Sequence, residues 1–291
     1  MKELRQITVI GLGLLGGSIT RSVCQSFPSV KTVGYSHRPS TRRKARQLAV
    51  ANRIAETITE SVAEADIVFV ATPIYTFEKT FKQIAPHLPA GCIVTDVGST
   101  KVLPHYWAEK YLPNTAYYVG SHPIAGSEQR GVEFARDDLF DRAYCILTKT
   151  KRTNAAALRT LKEFWIRLGC MVKIMQPDIH DEILANISHL PHVTAAALVN
   201  LQNNDELKLA GKGFVDTSRI ASGPANIWTD TLLANRKKVA GGIDKIIAEL
   251  KKLQRVIEKG DRGELERLLE AARAKRNAMI NYKMKKRELI Q

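Results

Sequence analysis

Three groups of residues in this 291-residue chain have types and spacings that could do chemistry. The first is His122 in Tyr117-Tyr118-Val119-Gly120-Ser121-His122-Pro123-Ile124-Ala125-Gly126. The run reads as a short strand ending at a histidine fixed by a proline, with glycines on both sides that let a small molecule approach. Such an imidazole can share a proton near neutral pH. The bland alternative is a polar turn with a solvated histidine. The second group is Gly11-Leu12-Gly13-Leu14-Leu15-Gly16-Gly17-Ser18, which has the form of a phosphate-binding loop. The third lies late in the chain: His189 and His192 in Ser188-His189-Leu190-Pro191-His192, and Arg219 in Asp216-Thr217-Ser218-Arg219. Arg219 could fork a carboxylate or make a surface salt bridge. The two histidines share a helix face but lack further ligands, so no metal site is expected.

The glycine loop follows a β-rich run, Ile7-Thr8-Val9-Ile10, and precedes a helical stretch over 19–27. A strand–loop–helix context turns G-x-G-x-x-G into a dinucleotide-binding signature. Gly11 permits the tight turn, Gly13 lets a pyrophosphate approach, and Gly16 lets the helix pack on the sheet. Gly11, Leu12, Gly13, Leu14, Leu15 and Gly16 are therefore expected at the cofactor. A second strand, 31–35, would end in a carboxylate if the cofactor were NAD. It continues instead as Ser36-His37-Arg38-Pro39-Ser40-Thr41-Arg42-Arg43, which suits a 2′-phosphate, so NADP is expected over NAD. The strand Ala65–Ala71 ends at Thr72-Pro73, beside the expected nicotinamide ribose. The strand 92–97 ends in Gly98-Ser99-Thr100-Lys101, placing Ser99 and Lys101 at the same crevice. Ser99 could equally be a helix N-cap, and Lys101 a surface cation.

Strand–helix alternation runs on through strands at 143–147 and 171–174 and stops near Gln176-Pro177. This predicts an α/β chain: a dinucleotide-binding domain over 1–176 and an all-helical domain over 177–291. The second half should open with one long helix, 178–202, kinked at Pro191. It should close with two amphipathic helices. One carries Ile243, Ile246, Ile247, Leu250, Leu253 and Ile257, the other Leu265, Leu268, Leu269 and Ala272. Such stripes are core or dimer interface.

The bulk numbers narrow the class. An apolar share of 44% and a charged share of 25% are those of an ordinary globular protein. No apolar run approaches a membrane span, no signal-peptide core opens the chain, and Cys24, Cys92, Cys145 and Cys170 form no C-x-x-C pair. A cytoplasmic protein without membrane or metal is expected. The net charge of +15 is spread along the chain without a recognisable nucleic-acid-binding pattern, so nucleic acid is not expected as a partner.

Taken in order, these motifs resemble the prephenate/arogenate dehydrogenase family of tyrosine biosynthesis. The carriers are the glycine loop, Thr95-Asp96-Val97-Gly98-Ser99-Thr100-Lys101, Ser121-His122-Pro123-Ile124-Ala125-Gly126-Ser127-Glu128, Ser188-His189-Leu190-Pro191-His192, and Gly213-Phe214-Val215-Asp216-Thr217-Ser218-Arg219 with Trp228 beyond. The resemblance implies a Rossmann-type domain with a helical dimerisation domain, and oxidative decarboxylation of prephenate or arogenate. By the same resemblance His122 is the catalytic hydrogen-bond acceptor and Ser99 orients it or the substrate. Arg219 and His192 bind substrate, and Glu128 is a polar gate. Many NAD-using members carry Asp where this chain has Ser36. The chain shows no chorismate mutase or ACT segment, so tyrosine would act, if at all, at the active site. The alternatives are another NADP-dependent Rossmann dehydrogenase, of the β-hydroxyacid or imine reductase type, or a basic dinucleotide-sensing protein without catalysis.

Overall fold

The computed structural model describes residues 4–125 and 129–285. Its centre is a six-stranded parallel sheet: β1 (Gln6–Ile10), β2 (Lys31–Tyr35), β3 (Arg53–Ile54), β4 (Ile67–Val70), β5 (Ile93–Asp96) and β6 (Tyr117–Tyr118), in the order β3-β2-β1-β4-β5-β6. The strands are apolar on both sides because both sides are covered. Ile7, Val9, Ile67, Phe69 and Ile93 enter one apolar layer, and Ile10, Val68, Val70 and Val94 the other. The helix Leu14–Ser26 brings Ile19 and Val23 to the first layer, and the helix Ala155–Arg167 brings Leu161, Phe164 and Trp165. Phe164 and Trp165 lie 5.0 and 5.8 Å from the Phe69 ring. Phe77, Phe81, Ile84 and Trp107 fill the second layer. This is the doubly wound, Rossmann-type architecture expected from the strand–helix alternation.

His122 does not end a strand of that sheet. Val119 donates its N–H to Val94 O at 3.1 Å, and the chain then leaves for a second sheet. There β7 (Gly120–Ile124) runs antiparallel to β8 (Tyr144–Thr148), which runs parallel to β9 (Met171–Met175). Gly120 makes the crossing possible, since a Cβ on it would meet Thr148 Oγ1 at 2.5 Å and Lys101 Cδ at 2.9 Å. Pro123 sits inside β7, not after it. It is tolerated because β7 is an edge strand and needs no N–H on its outer side. The two-residue period of β7 then decides the chemistry. Ser121 points to Thr95 and Trp165, at 2.7 and 3.1 Å, and His122 points the opposite way.

The expected long helix over 178–202 is broken. Pro177–Leu184 and Leu190–Asn200 are α-helical, and Ala185–His189 is a π-turn closed by Leu190 N–H to Ala185 O. Pro191 offers no N–H to the preceding turn and crowds it, and the extra residue of the π-turn absorbs the mismatch. Ala225–Ala234 is the last helix before the chain's compactness divides, after Arg236. The unit from Lys237 onward is helical, its helices turning at Gly260 with φ +63°. Its apolar stripe is substantially bare within one chain, with Leu250, Ile257 and Leu269 each more than half exposed. No helix among the described residues is long and apolar enough to cross a membrane.

Candidate active site

The glycine loop lies between β1 and the helix Leu14–Ser26. Gly11 takes φ +103°, and a Cβ on it would strike Ala71 O at 2.5 Å. A Cβ on Gly16 would strike Gly11 O at 1.9 Å, so Gly16 fixes the approach of helix to loop. Gly13 differs: nothing lies within 4 Å of its would-be Cβ. Packing does not require that glycine, and the space beside it is open. The helix beginning at Leu14 has no side-chain cap, so its first N–H groups face that space unpaired by a side chain. These features fit a dinucleotide pyrophosphate. The Leu12 side chain is buried against Gly34, whereas Leu14 and Leu15 are partly exposed.

Beyond β2, Ser36 is buried at 7% exposure, and His37 and Arg38 are exposed. Arg42 is not a free cation there. Its Nη1 donates to Ser36 O at 2.7 Å and its Nε to Glu56 at 3.2 Å, so it holds the turn from behind. Thr72 and Pro73 follow β4 as expected, with Thr72 2.7 Å from Thr76 Oγ1.

Beneath His122 is a buried polar knot. His122 Nδ1 lies 2.9 Å from His180 Nε2, and His180 Nδ1 lies 2.7 Å from Asp181 Oδ1. The two Asp181 oxygens also accept the N–H groups of Lys101 and Val102, at 2.7 and 2.9 Å. Asp181, not Ser99, therefore caps the helix Val102–Tyr111. The carboxylate accepts, so His180 Nδ1 carries a proton and His180 Nε2 is an acceptor. His122 Nδ1 must then be the donor between the rings. His122 Nε2 is then the acceptor nitrogen of the ring, with no hydrogen-bond donor on it among the described residues. Burial, with the Lys101 charge adding to it, holds His122 well below the usual histidine range. It is a neutral acceptor.

Lys101 overturns its expected place. It is fully buried, paired with the equally buried Asp96, which also accepts Tyr118 OH at 2.6 Å and Gly98 N–H at 2.8 Å. The cation is forced inward because the helix cap places its backbone against Asp181. His105, 2.9 Å from Thr148 Oγ1, is pushed down to about 4 by burial and then by Lys101. His189, lowered to about 4 by burial, belongs to the same region. Asn235 Nδ2 donates to Asp181 O at 2.7 Å and lies 3.2 Å from His189 Nδ1, which makes that nitrogen an acceptor. His189 Nε2 is then a buried N–H without a partner among the described residues. His192 stacks on Trp228 at 3.7 Å and 7°, and its Nδ1 is likewise buried and unpaired among those residues.

The structure thus builds His122, Lys101 and the His189/His192 pair into organised surroundings. Ser99 is half-buried in the bend before the capped helix. Arg219 is exposed at the start of the turn Arg219–Ser222, directly after the helix Lys212–Ser218. Glu128 lies outside the described residues. His180, Asp181 and Asn235 were missed. His180 and Asp181 lie on a helix that faces inward with its polar side: Pro177–Leu184 buries them while Ile179 and Ile183 stay exposed, and Asn235 follows the helix Ala225–Ala234.

Comparison with known proteins closes the assignment. Residues 19–174 match the family description "Prephenate dehydrogenase, nucleotide-binding domain", and residues 176–271 match "Prephenate dehydrogenase, dimerization domain". The chain is 33% identical to the prephenate dehydrogenase of Bacillus subtilis (strain 168), over 94% of this chain and 76% of that one. A crystal structure of prephenate dehydrogenase from A. aeolicus in complex with hydroxyphenyl propionate and NAD+ superposes with a TM-score of 0.90 at 31% identity, covering 95% of this chain and 99% of that chain. Synechocystis arogenate dehydrogenase superposes with a TM-score of 0.82 at 30% identity, covering 94% and 99%. With a parallel dinucleotide-type sheet, a neutral buried histidine and matches across both halves, this chain belongs to the prephenate dehydrogenase family.

Proposed function

We propose that the protein catalyses NADP-dependent oxidative decarboxylation of prephenate or arogenate, and the observation that carries this reading is the buried His122, whose Nδ1 is engaged by His180 so that Nε2 is its acceptor. When bound at the glycine loop, the nicotinamide supplies a hydride acceptor. The chain's own residues do the rest. As the substrate's C4 hydrogen departs, its C4 hydroxyl becomes acidic, and His122 Nε2 accepts that hydroxyl's hydrogen bond. Ser99 orients the same hydroxyl or the histidine. The His189 N–H offers a donor for a substrate oxygen, His192 on Trp228 lines the pocket, and Arg219 forks a substrate carboxylate. Glu128 is proposed as a polar gate.

The NADP reading rests on the turn after β2. It holds no carboxylate to bind a ribose 2′-hydroxyl, and it presents the Ser36 hydroxyl with exposed His37 and Arg38. Arg42, occupied by carbonyls, fixes the turn and leaves Arg38 as the phosphate's fork. The bare stripe on the last two helices, with the exposed Ile179 and Ile183 of the earlier one, supports a homodimer. We keep 1–176 and 177–291 as the functional division, with a cytoplasmic location. The test is initial rates of dinucleotide reduction with each substrate and each cofactor. We expect turnover with prephenate or arogenate and a lower KM for NADP. A clear preference for NAD overturns the cofactor reading, and no turnover with either substrate overturns the function.

A further inference from the structure

The hydrogen bonds beneath His122 form a directed chain, and its direction has a mechanistic content beyond a single acceptor. His122 Nδ1–H donates to His180 Nε2 at 2.9 Å, and His180 Nδ1–H donates to Asp181 Oδ1 at 2.7 Å. We propose that this chain is a reversible proton relay. It turns His122 from hydrogen-bond acceptor to hydrogen-bond donor within one turnover, taking the substrate's proton on Nε2 while the Nδ1 proton is stored on His180 beside Asp181. The proposal rests on the functional reading above.

The buried charges favour that storage place. Lys101 and Asp96 pair with each other, so the Asp181 carboxylate is left facing His180 with backbone N–H groups as its other partners. Burial disfavours a cation on the His122 ring, and Lys101, the permanent cation among its neighbours, disfavours it further. Burial lowers His180 too, and Lys101 adds to it, but His180 has what His122 lacks: the Asp181 hydrogen bond and the Asp181 and Asp96 charges, which oppose both. A proton accepted at His122 Nε2 is therefore better balanced by passing the ring's other proton inward.

The atoms balance without loss of a proton. Once the C4 hydrogen has left as hydride, the O–H electron pair closes a C4=O double bond. The hydroxyl proton passes to His122 Nε2, and the Nδ1 proton of His122 passes to His180 Nε2. His180 becomes an imidazolium against Asp181, while His122 stays neutral but now presents Nε2–H to the new carbonyl oxygen. That donor stabilises negative charge on the oxygen as the bond from the ring to its carboxylate breaks and its electron pair enters the ring. CO2 leaves, the phenolic oxygen recovers its proton from His122 Nε2, and His122 recovers its own from His180. His180 and Asp181 are positioning residues in this scheme, acting through His122.

Three readouts test it. In the free protein, nitrogen NMR should find His122 and His180 both protonated on Nδ1; a proton on His122 Nε2 overturns the relay. Single-turnover rates of the wild type in mixtures of light and heavy water should give a bowed proton inventory, because more than one proton moves; a linear inventory overturns it. His180→Gln keeps an acceptor for His122 Nδ1–H but cannot take its proton. We expect its single-turnover rate to fall about 10²-fold while substrate affinity changes by less than about threefold. A rate within about threefold of wild type overturns the relay. Should the variant fail to fold, the two wild-type readouts decide. A wild type that turns over neither prephenate nor arogenate fails on the function itself, and the relay falls with it. A wild type that turns over with a linear inventory fails on the relay alone.

Discussion

The cofactor cradle and the knot under His122 solve opposite problems. The cradle consists of backbone: a left-handed turn at Gly11, a close approach at Gly16, an open space at Gly13 and an uncapped helix start. It binds by what has been left out. The knot is made of side chains buried at cost, Lys101, Asp96, Asp181, His180 and His122, each held by another. It works by side chains put in and paired with one another, with the outward Nε2 of His122 left to act. The cradle should therefore tolerate changes that only fill its open side, whereas the knot should fail as a unit.

The largest effect we expect is on stability, from Lys101→Met. It strands the buried Asp96 carboxylate, and removing one partner of a buried pair costs about 3–5 kcal/mol. Urea unfolding measures this, and a loss below about 1 kcal/mol, typical of a surface pair, would break the contrast. Acid comes next. His105 and His189 titrate near 4 when folded and near 6.5 when unfolded, and His122 and His180 are lowered as well. As pH falls below 6.5, the unfolded chain takes up protons that the folded chain refuses until about 4. Stability is thus fully present above 6.5 and is lost through this window, on the order of 3 kcal/mol for each of His105 and His189. Tm measured from pH 7 to 4.5 should fall steadily, and a flat profile would contradict the buried neutral histidines. The smallest effect belongs to the cradle. Gly13→Ala has φ −95° and nothing within 4 Å, so Tm should hold while dinucleotide affinity drops about tenfold, or ~1.4 kcal/mol. Unchanged affinity by calorimetry would mean the open side is not where the pyrophosphate lies.

The same contrast explains what could be read in the sequence. The cradle was legible because its geometry is local: eight consecutive residues, from the end of β1 into the following helix, define it. The main sheet was legible for a related reason, since continuous apolar runs mark strands covered on both faces. The knot joins residues 80 positions apart in the contact of Lys101 with Asp181, and no local period announces that. Lys101 looked like any surface lysine until Asp181 drew its backbone into a helix cap. His180 sat in an ordinary helix start. Only the wrong-way burial of that helix, with Ile179 and Ile183 outside, reveals its purpose. The sheet switch at Gly120 was hidden for the same reason, because strand pairing is decided by distant partners. Arg219 shows the reverse: its short motif was conspicuous, yet its exposed position leaves its role to the bound substrate.

The central claim is that His122 accepts the hydrogen bond of the reacting hydroxyl as a neutral imidazole. The most direct test is His122→Asn, assayed for steady-state dinucleotide reduction beside its thermal unfolding. The account predicts a kcat lower by about 10²–10⁴ with KM changed by less than about fivefold and Tm essentially kept. A variant that folds and retains full kcat would contradict it and return His122 to a structural member of β7.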